Sequence, residues 1–216
     1  MAKFIGIDVG GLRKGFHCVL LDCDDATYVA RTHLTSAIEV ANWCFKHAPR
    51  IIAIDAPCKW SQSGKSRAAE RALHGVGIHC FFTPSDAIRR QAHKANWNYD
   101  WIVNARKLYE GIESRFPLYN GVHRNAGLCI ETFPNAVAHQ LYDGEVPAGT
   151  KNAVRRALLD PIGMTREHLP NIDFVDAALC ALAARSFSMA EYAEFGDISE
   201  GFIVVPTLGA RVVGIR

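Results

Sequence analysis

The sequence predicts an α/β fold: a mixed five-stranded sheet, an antiparallel meander followed by parallel strands, with helices on both faces. Three short apolar runs separated by Gly or Asp turns open the chain, which is the pattern of a meander. Continuous apolar strands and helix-period segments then alternate, as they do when helices cover both sides of a sheet. Composition bounds the class. The 216 residues are 49% hydrophobic and 21% charged, ordinary values that exclude extended disorder. A chain of this length corresponds to one domain, able to bury about 70% of its unfolded surface without disulfide or metal staples.

The first run, Phe4 to Val9, ends in Gly10-Gly11; Phe16 to Leu21 and Thr27 to Leu34 complete the meander. Ser36 to His47 carries Ile38, Ala41, Trp43 and Phe45 at mixed helical spacing, with Ser36 placed to cap it. Arg50 to Asp55 is a strand of the kind buried on both faces. Ser66 to His74 reads as a helix ended by Gly75 and Gly77, and Trp101, Ala105, Leu108 and Ile112 form a helical stripe. Leu128 to Phe133 is another buried strand, Pro134 opens the helix after it, and Ala153 to Leu159 is helical. Asp173 to Met189 is the clearest helix, with Ala177, Cys180, Ala181 and Ala184 as a small-residue face. Gly201 to Val205 and Arg211 to Ile215 are expected as terminal edge strands, and the whole of 1–216 as one domain with a helical insertion around 59–125.

Lys and Arg number 24 against 22 Asp and Glu, a net charge of +2, so any nucleic-acid surface is local rather than chain-wide. The seven cysteines show no repeated spacing and no CxxC pair, which predicts thiols in a reducing, cytoplasmic setting. A signal-peptide core and a membrane-length apolar run are both lacking, so no membrane partner is expected. Cys44 with His47, and the adjacent His79 and Cys80, do not make paired zinc knuckles.

The chemistry is expected where buried strands end in acids. Asp8 closes Phe-Ile-Gly-Ile-Asp, Asp55 closes Ile-Ile-Ala-Ile-Asp, and Glu131 sits in Cys-Ile-Glu-Thr-Phe-Pro. An ionised carboxylate in an apolar strand is costly unless paired or metal-bound. Each acid alone reads equally as a turn-bonding residue; three in one small domain call for a common cause. Asp173 and Asp176 share one face of the late helix, where a capping box with Asp173 as N-cap competes with catalysis. Converging carboxylates repel unless a divalent cation neutralises them, and oxygen ligands suit Mg²⁺ or Mn²⁺. Two such ions activate water in phosphodiester hydrolysis without a nucleophilic side chain.

The segments Gly-Ile-Asp-Val-Gly and Asp-Phe-Val-Asp-Ala-Ala-Leu-Cys-Ala resemble the RNase H fold, closest to its Holliday junction resolvase (RuvC-like) branch. Adding Ala-Ile-Asp-Ala-Pro, Arg67-x-x-Glu70, Phe82-Thr83-Pro84 and Glu131-Thr-Phe-Pro134, the chain resembles domain of unknown function 429 over roughly residues 4 to 188. That family is described as predicted nucleases of RNase H fold. The resemblance implies Asp8, Asp55, Asp173 and Asp176 as metal ligands, with Asp55 where resolvases usually carry Glu. It further implies catalysis by these acids with Glu131, substrate contacts from Lys14, Arg67, Glu70 and Thr83, and a nucleic acid or nucleotide substrate.

Ser63-Gly64-Lys65-Ser66 resembles a P-loop, but Lys59 stands where the first glycine belongs. Gly-Ile-Asp-Val-Gly-Gly also opens sugar kinases and actin-like ATPases, whose domain duplication is lacking here. Arg67 and Glu70 read either as a surface ion pair or as a phosphate contact. Arg89, Arg90, His93, Lys94, Trp97 and Tyr99 mix basic and aromatic types as single-strand binders do, against a solvated face with Trp101 in the core. Lys151, Arg155 and Arg156 read as a solvated helix face. The expected function is a metal-dependent nuclease. A non-catalytic nucleic-acid-binding or adaptor protein is the alternative, and an ATP-dependent phosphotransferase is weaker.

Overall fold

A computed structural model describes residues 2–22, 25–62, 64–91, 99–142 and 149–207. Strands β1 (Lys3–Val9), β2 (Phe16–Asp22) and β3 (Thr27–Leu34) form the antiparallel meander, with α1 (Ala37–His47) following. Ser36 caps α1, accepting from Glu39 N while the Glu39 carboxylate reaches back to Ser36 N. Next come β4 (Ile51–Asp55), α2 (Ala68–Gly75), α3 (Asp86–Gln91), α4 (Asp100–Ile112), β5 (Leu128–Glu131), α5 (Pro134–Leu141) and α6 (Lys151–Leu159). The last described elements are α7 (Ile172–Ser188), β6 (Tyr192–Asp197) and β7 (Gly201–Pro206).

Among the described residues the sheet has seven strands in the order β3-β2-β1-β4-β5-β7-β6. This corrects the five-stranded expectation while keeping its plan, because β1, β4 and β5 are parallel after the antiparallel meander. No apolar run marks strand β6, whose residues are half-buried or exposed and include Glu194, Gly196 and Asp197. Gly201 to Val205 is not an edge strand; β7 lies between β5 and β6. Arg211 to Ile215 lies outside the described residues.

Two apolar layers sandwich the sheet. On one face Val40, Ala41 and Cys44 of α1 and Ala105, Leu108 and Ile112 of α4 pack on Ile5, Ile7, Ile52 and Ile54. On the other, α7 lies across β1 and β4, with Cys180, Ala184 and Phe187 against Phe4, Ile51 and Ala53. A helix buried on nearly all sides belongs in a core, and 14 of the 17 residues of α7 are buried. Its small-residue face permits a close approach. A Cβ at Gly6 would lie 1.9 Å from the Ala177 carbonyl oxygen and 2.2 Å from Ala181 N, so glycine is required where β1 passes beneath α7. Among the described residues, no helix is long and apolar enough to cross a membrane.

Candidate metal centre

Strand alternation puts residues i and i+2 on one face. Gly6 faces α7, hence so does Asp8; Ala53 packs on α7, hence Asp55 points the same way. The parallel register sets Asp8 opposite Asp55. Helix α7 begins above this pair and supplies Asp176, so that one oxygen each from Asp8, Asp55 and Asp176 lies within 4.8 Å of the others. A second group shares Asp8: ligand atoms of Asp8, His17 and Asp173 meet the same 4.8 Å limit. The sequence reading missed His17. Its signal was a lone polar residue in the apolar run Phe-His-Cys-Val-Leu-Leu, placed across from Asp8 by the β1–β2 hairpin.

The helix start differs from the expected one. Asn171 is the N-cap of α7, its Oδ1 accepting from Phe174 N at 3.0 Å. Asp173 is thereby left in the first turn, with its carboxylate turned to Lys14 and His17. Lys14 Nζ donates to Asp173 Oδ1 at 2.7 Å and lies 3.6 Å from Asp8 Oδ2. Asp176 accepts from Arg155, and Lys151 Nζ stands 3.1 Å from its other oxygen. Of the expected solvated face on α6, Lys151 is exposed as read, its side chain 59% accessible, whereas Arg155 and Arg156 are each 4% exposed and are corrected to buried residues. Their partners explain it, because Asp176 takes Arg155 and the Leu169 carbonyl takes Arg156.

The cations do not cancel the cost of crowding these acids. Burial first, then the Asp176 and Asp173 charges, push Asp8 up to about 7 against the opposing pull of Lys14. Burial and the Asp8 charge likewise raise Asp55, and burial holds His17 below the usual imidazole range. Among the described residues, Asp8 Oδ2 and His17 Nδ1 are buried without a hydrogen-bond partner. Orphaned buried donor atoms facing one another, in a carboxylate-rich set, fit a divalent cation. Beside the group, a groove of about 400 Å³ is lined by Gly11, Leu12, Arg13, Lys14 and Asp100. Helix α4 pins the loops around it: Asn104 donates to the Gly10 carbonyl and Tyr109 to that of Ala56.

The family described as protein of unknown function (DUF429) has a model that matches residues 6–198. The chain belongs to the DUF429 family. No curated protein and no solved structure matches it. All the carboxylates above, and His17, lie within the span that defines DUF429; β7 lies beyond it.

In this DUF429 protein the remaining expected residues form a separate network. The register pairs Glu131 with Ile54, one step from Asp55, so Glu131 projects to the opposite face of the sheet. Its carboxylate accepts from Cys58 N and from Arg67 Nη1, both at 2.8 Å, and from Arg67 Nη2. Arg67 is 1% exposed, so the expected surface ion pair is a buried one, with Nε donating to Glu70 Oε1 at 2.8 Å. Glu70 Oε2 also accepts from Thr83 N, and Thr83 is fully buried. A cavity of about 50 Å³ separates this network from Asp55, with Phe81, Trp101 and Phe133 among its walls.

The P-loop resemblance fails on its surroundings. Ser61 Oγ and Gln62 N donate to Glu200 Oε1, Ala68 N to Oε2, and Gly64 N to Ser61 Oγ, so a carboxylate already occupies the donors on either side of the segment. Ser63 lies outside the described residues, as do His93, Lys94 and Trp97 of the basic–aromatic stretch. Arg89 and Arg90 pair with Asp86, and Tyr99 makes edge contacts with Trp60 and Phe81. Neither Cys44–His47 nor His79–Cys80 belongs to a potential metal group among the described residues.

Proposed function

We propose that this protein is an RNase H-like, divalent-metal-dependent nuclease that hydrolyses phosphodiester bonds at the Asp8 centre. The observation that carries the reading is the Asp8–Asp55 register with Asp176 brought over it by α7, three oxygens within 4.8 Å. The strand order β3-β2-β1-β4-β5, antiparallel then parallel, supports the RNase H-like assignment.

Asp8, Asp55 and Asp176 would hold Mg²⁺ or Mn²⁺, with Asp173 beside them. Such an ion, when bound, supplies a Lewis acid for the phosphoryl oxygen and lowers the pKa of a water. The chain's own side chains do the rest. Apolar packing beneath the acids keeps their negative charge poorly solvated, which strengthens attraction for a dication. Lys14, with a side chain 48% exposed, sits between acid and groove with Arg13 nearby. A pair of cations on that wall suits the approach of a phosphate backbone. Glu131 and Arg67 act in this reading as scaffold for the β4–β5 end. Buried thiols such as Cys18 and Cys58 suit a reducing cytoplasm.

One observation favours the non-catalytic alternative: Lys14, Lys151 and Arg155 already neutralise Asp173 and Asp176. The two readings part on a panel of labelled single- and double-stranded DNA and RNA, assayed with Mg²⁺, with Mn²⁺ and with chelator. Metal-dependent cleavage of at least one member supports the nuclease. Binding without cleavage in every metal condition assigns the adaptor role.

A further inference from the structure

We infer that His17 makes the second cation position, Asp8–His17–Asp173, a mixed nitrogen–oxygen site that takes a transition-metal dication such as Mn²⁺ in preference to Mg²⁺. The inference rests on the metal-dependent reading above and deepens it by assigning different ions to its two positions.

The geometry has three parts. His17 Nδ1 lies 4.0 Å from Asp8 Oδ2 and Nε2 lies 3.9 Å from Asp173 Oδ2, both too long for hydrogen bonds. Donors about 2.1 Å from a shared ion stand about 3–4 Å apart, so either gap suits an intervening ion, which takes one ring nitrogen and not both, and one ligand atom each of Asp8, His17 and Asp173 lies within 4.8 Å of the others. The imidazole side chain is 8% exposed, and Nδ1 has no hydrogen-bond partner among the described residues, although a buried ring nitrogen without one is costly.

The ring is also held in place. It stacks on His33 with centroids 4.5 Å apart and meets Phe174 edge-on at 4.8 Å. His33 Nε2 is in turn 2.7 Å from the Lys14 carbonyl oxygen, which ties the stack to the β1–β2 turn. A preoriented imidazole favours borderline metals, whereas Mg²⁺ demands oxygen ligands and sheds water reluctantly. The first position, Asp8–Asp55–Asp176, offers carboxylate oxygens alone and so discriminates less. Lys14 Nζ fills the second position as a stand-in cation, and its half-exposed side chain can swing into the groove when a metal enters.

The test is a Mn²⁺ titration of the metal-stripped full chain followed by electron paramagnetic resonance, with Mg²⁺ as competitor. Wild type should bind two Mn²⁺, one displaced by Mg²⁺ and the other resisting it at least tenfold more strongly. His17→Phe keeps the ring stack, and should lose the resistant ion or weaken it about 100-fold while keeping the other. His17→Gln, a second variant in case Phe disturbs folding, should show the same selective loss. Lys14→Met should tighten the resistant site. Unchanged binding of both ions by folded His17→Phe or His17→Gln, or equal Mg²⁺ competition at both positions, overturns the inference. One Mn²⁺ that is lost in Asp55→Asn but not in His17→Phe overturns it too, while leaving the nuclease reading intact. Two ions with the expected preference but no cleavage of any nucleic acid would uphold this inference and defeat the nuclease reading.

Discussion

Asp8 and Asp55 stand directly opposite one another on neighbouring parallel strands, their carboxylates facing the same buried helix. Burial strips both carboxylates of hydration and pushes both upward in pKa; the Asp8 charge adds to the rise at Asp55, and the Asp176 and Asp173 charges add to the rise at Asp8. A fold that keeps this arrangement carries a cost that a bound dication would remove.

The first prediction follows from that cost. Millimolar Mg²⁺ or Mn²⁺ should raise the melting temperature by mass action on the folded state, several degrees at saturation. Asp8→Asn should abolish the response and leave the metal-free protein equally or more stable. Differential scanning fluorimetry with and without chelator reads both. A strongly destabilised Asp8→Asn with no metal response in wild type would make Asp8 a structural acid.

Acidity supplies the second. Asp8 titrates near 7 when folded against 3.8 for the ordinary group, so the folded state holds the extra proton between those values. Its contribution to stability is complete below about pH 4 and is lost as the pH rises through about 7. Metal-free wild type should therefore lose melting temperature between pH 5 and pH 8 relative to Asp8→Asn measured in the same buffers. Parallel curves for the two proteins would contradict the raised value.

Helix α7 gives a packing prediction. Gly6→Ala drives a Cβ into the α7 backbone and should cost about 3 kcal/mol or more, the upper end of overpacking. Gly75→Ala, exposed with no neighbour within 4 Å of the new atom, should be neutral or stabilising by up to about 1 kcal/mol. Urea denaturation of the pair measures the contrast.

The Arg67 network yields the fourth. Arg67→Met leaves Glu131 and Glu70 as uncompensated buried carboxylates, a loss of about 3–5 kcal/mol. At about 2–4 °C per kcal/mol for a domain of this size, the melting temperature should fall by about 10 °C. If Arg67→Met melts like wild type, the guanidinium is not holding the β4–β5 end.

How much of this was legible in the sequence depends on range. Strands β1 to β5 announced themselves as apolar runs or turn-bounded alternation, and the acids closing β1 and β4 carried the site with them. The β1–β2 register was not legible from composition alone, so His17 stayed hidden although it lies nine residues from Asp8. Arg67 looked like a surface residue because its counterion Glu131 is 64 residues away and only the β4–β5 pairing brings it close. Capping was misread by two positions. Asp173 has the chemistry of a cap, but Asn171 occupies the extended conformation that a cap requires.

That misreading makes Asp173 a clean probe. Asn171→Ala should cost about 1 kcal/mol of stability and spare metal binding. Asp173→Asn should keep α7, capped as before, and lower cleavage about 100-fold or more.

The most direct measurement is the Mn²⁺-dependent cleavage rate of Asp8→Asn against wild type, taken on the best substrate of the nucleic-acid panel with folding checked by circular dichroism. Asp8 belongs to both candidate metal groups, so the variant is expected to fold and its cleavage to fall to the chelator background. A folded Asp8→Asn that cleaves at the wild-type rate would contradict it.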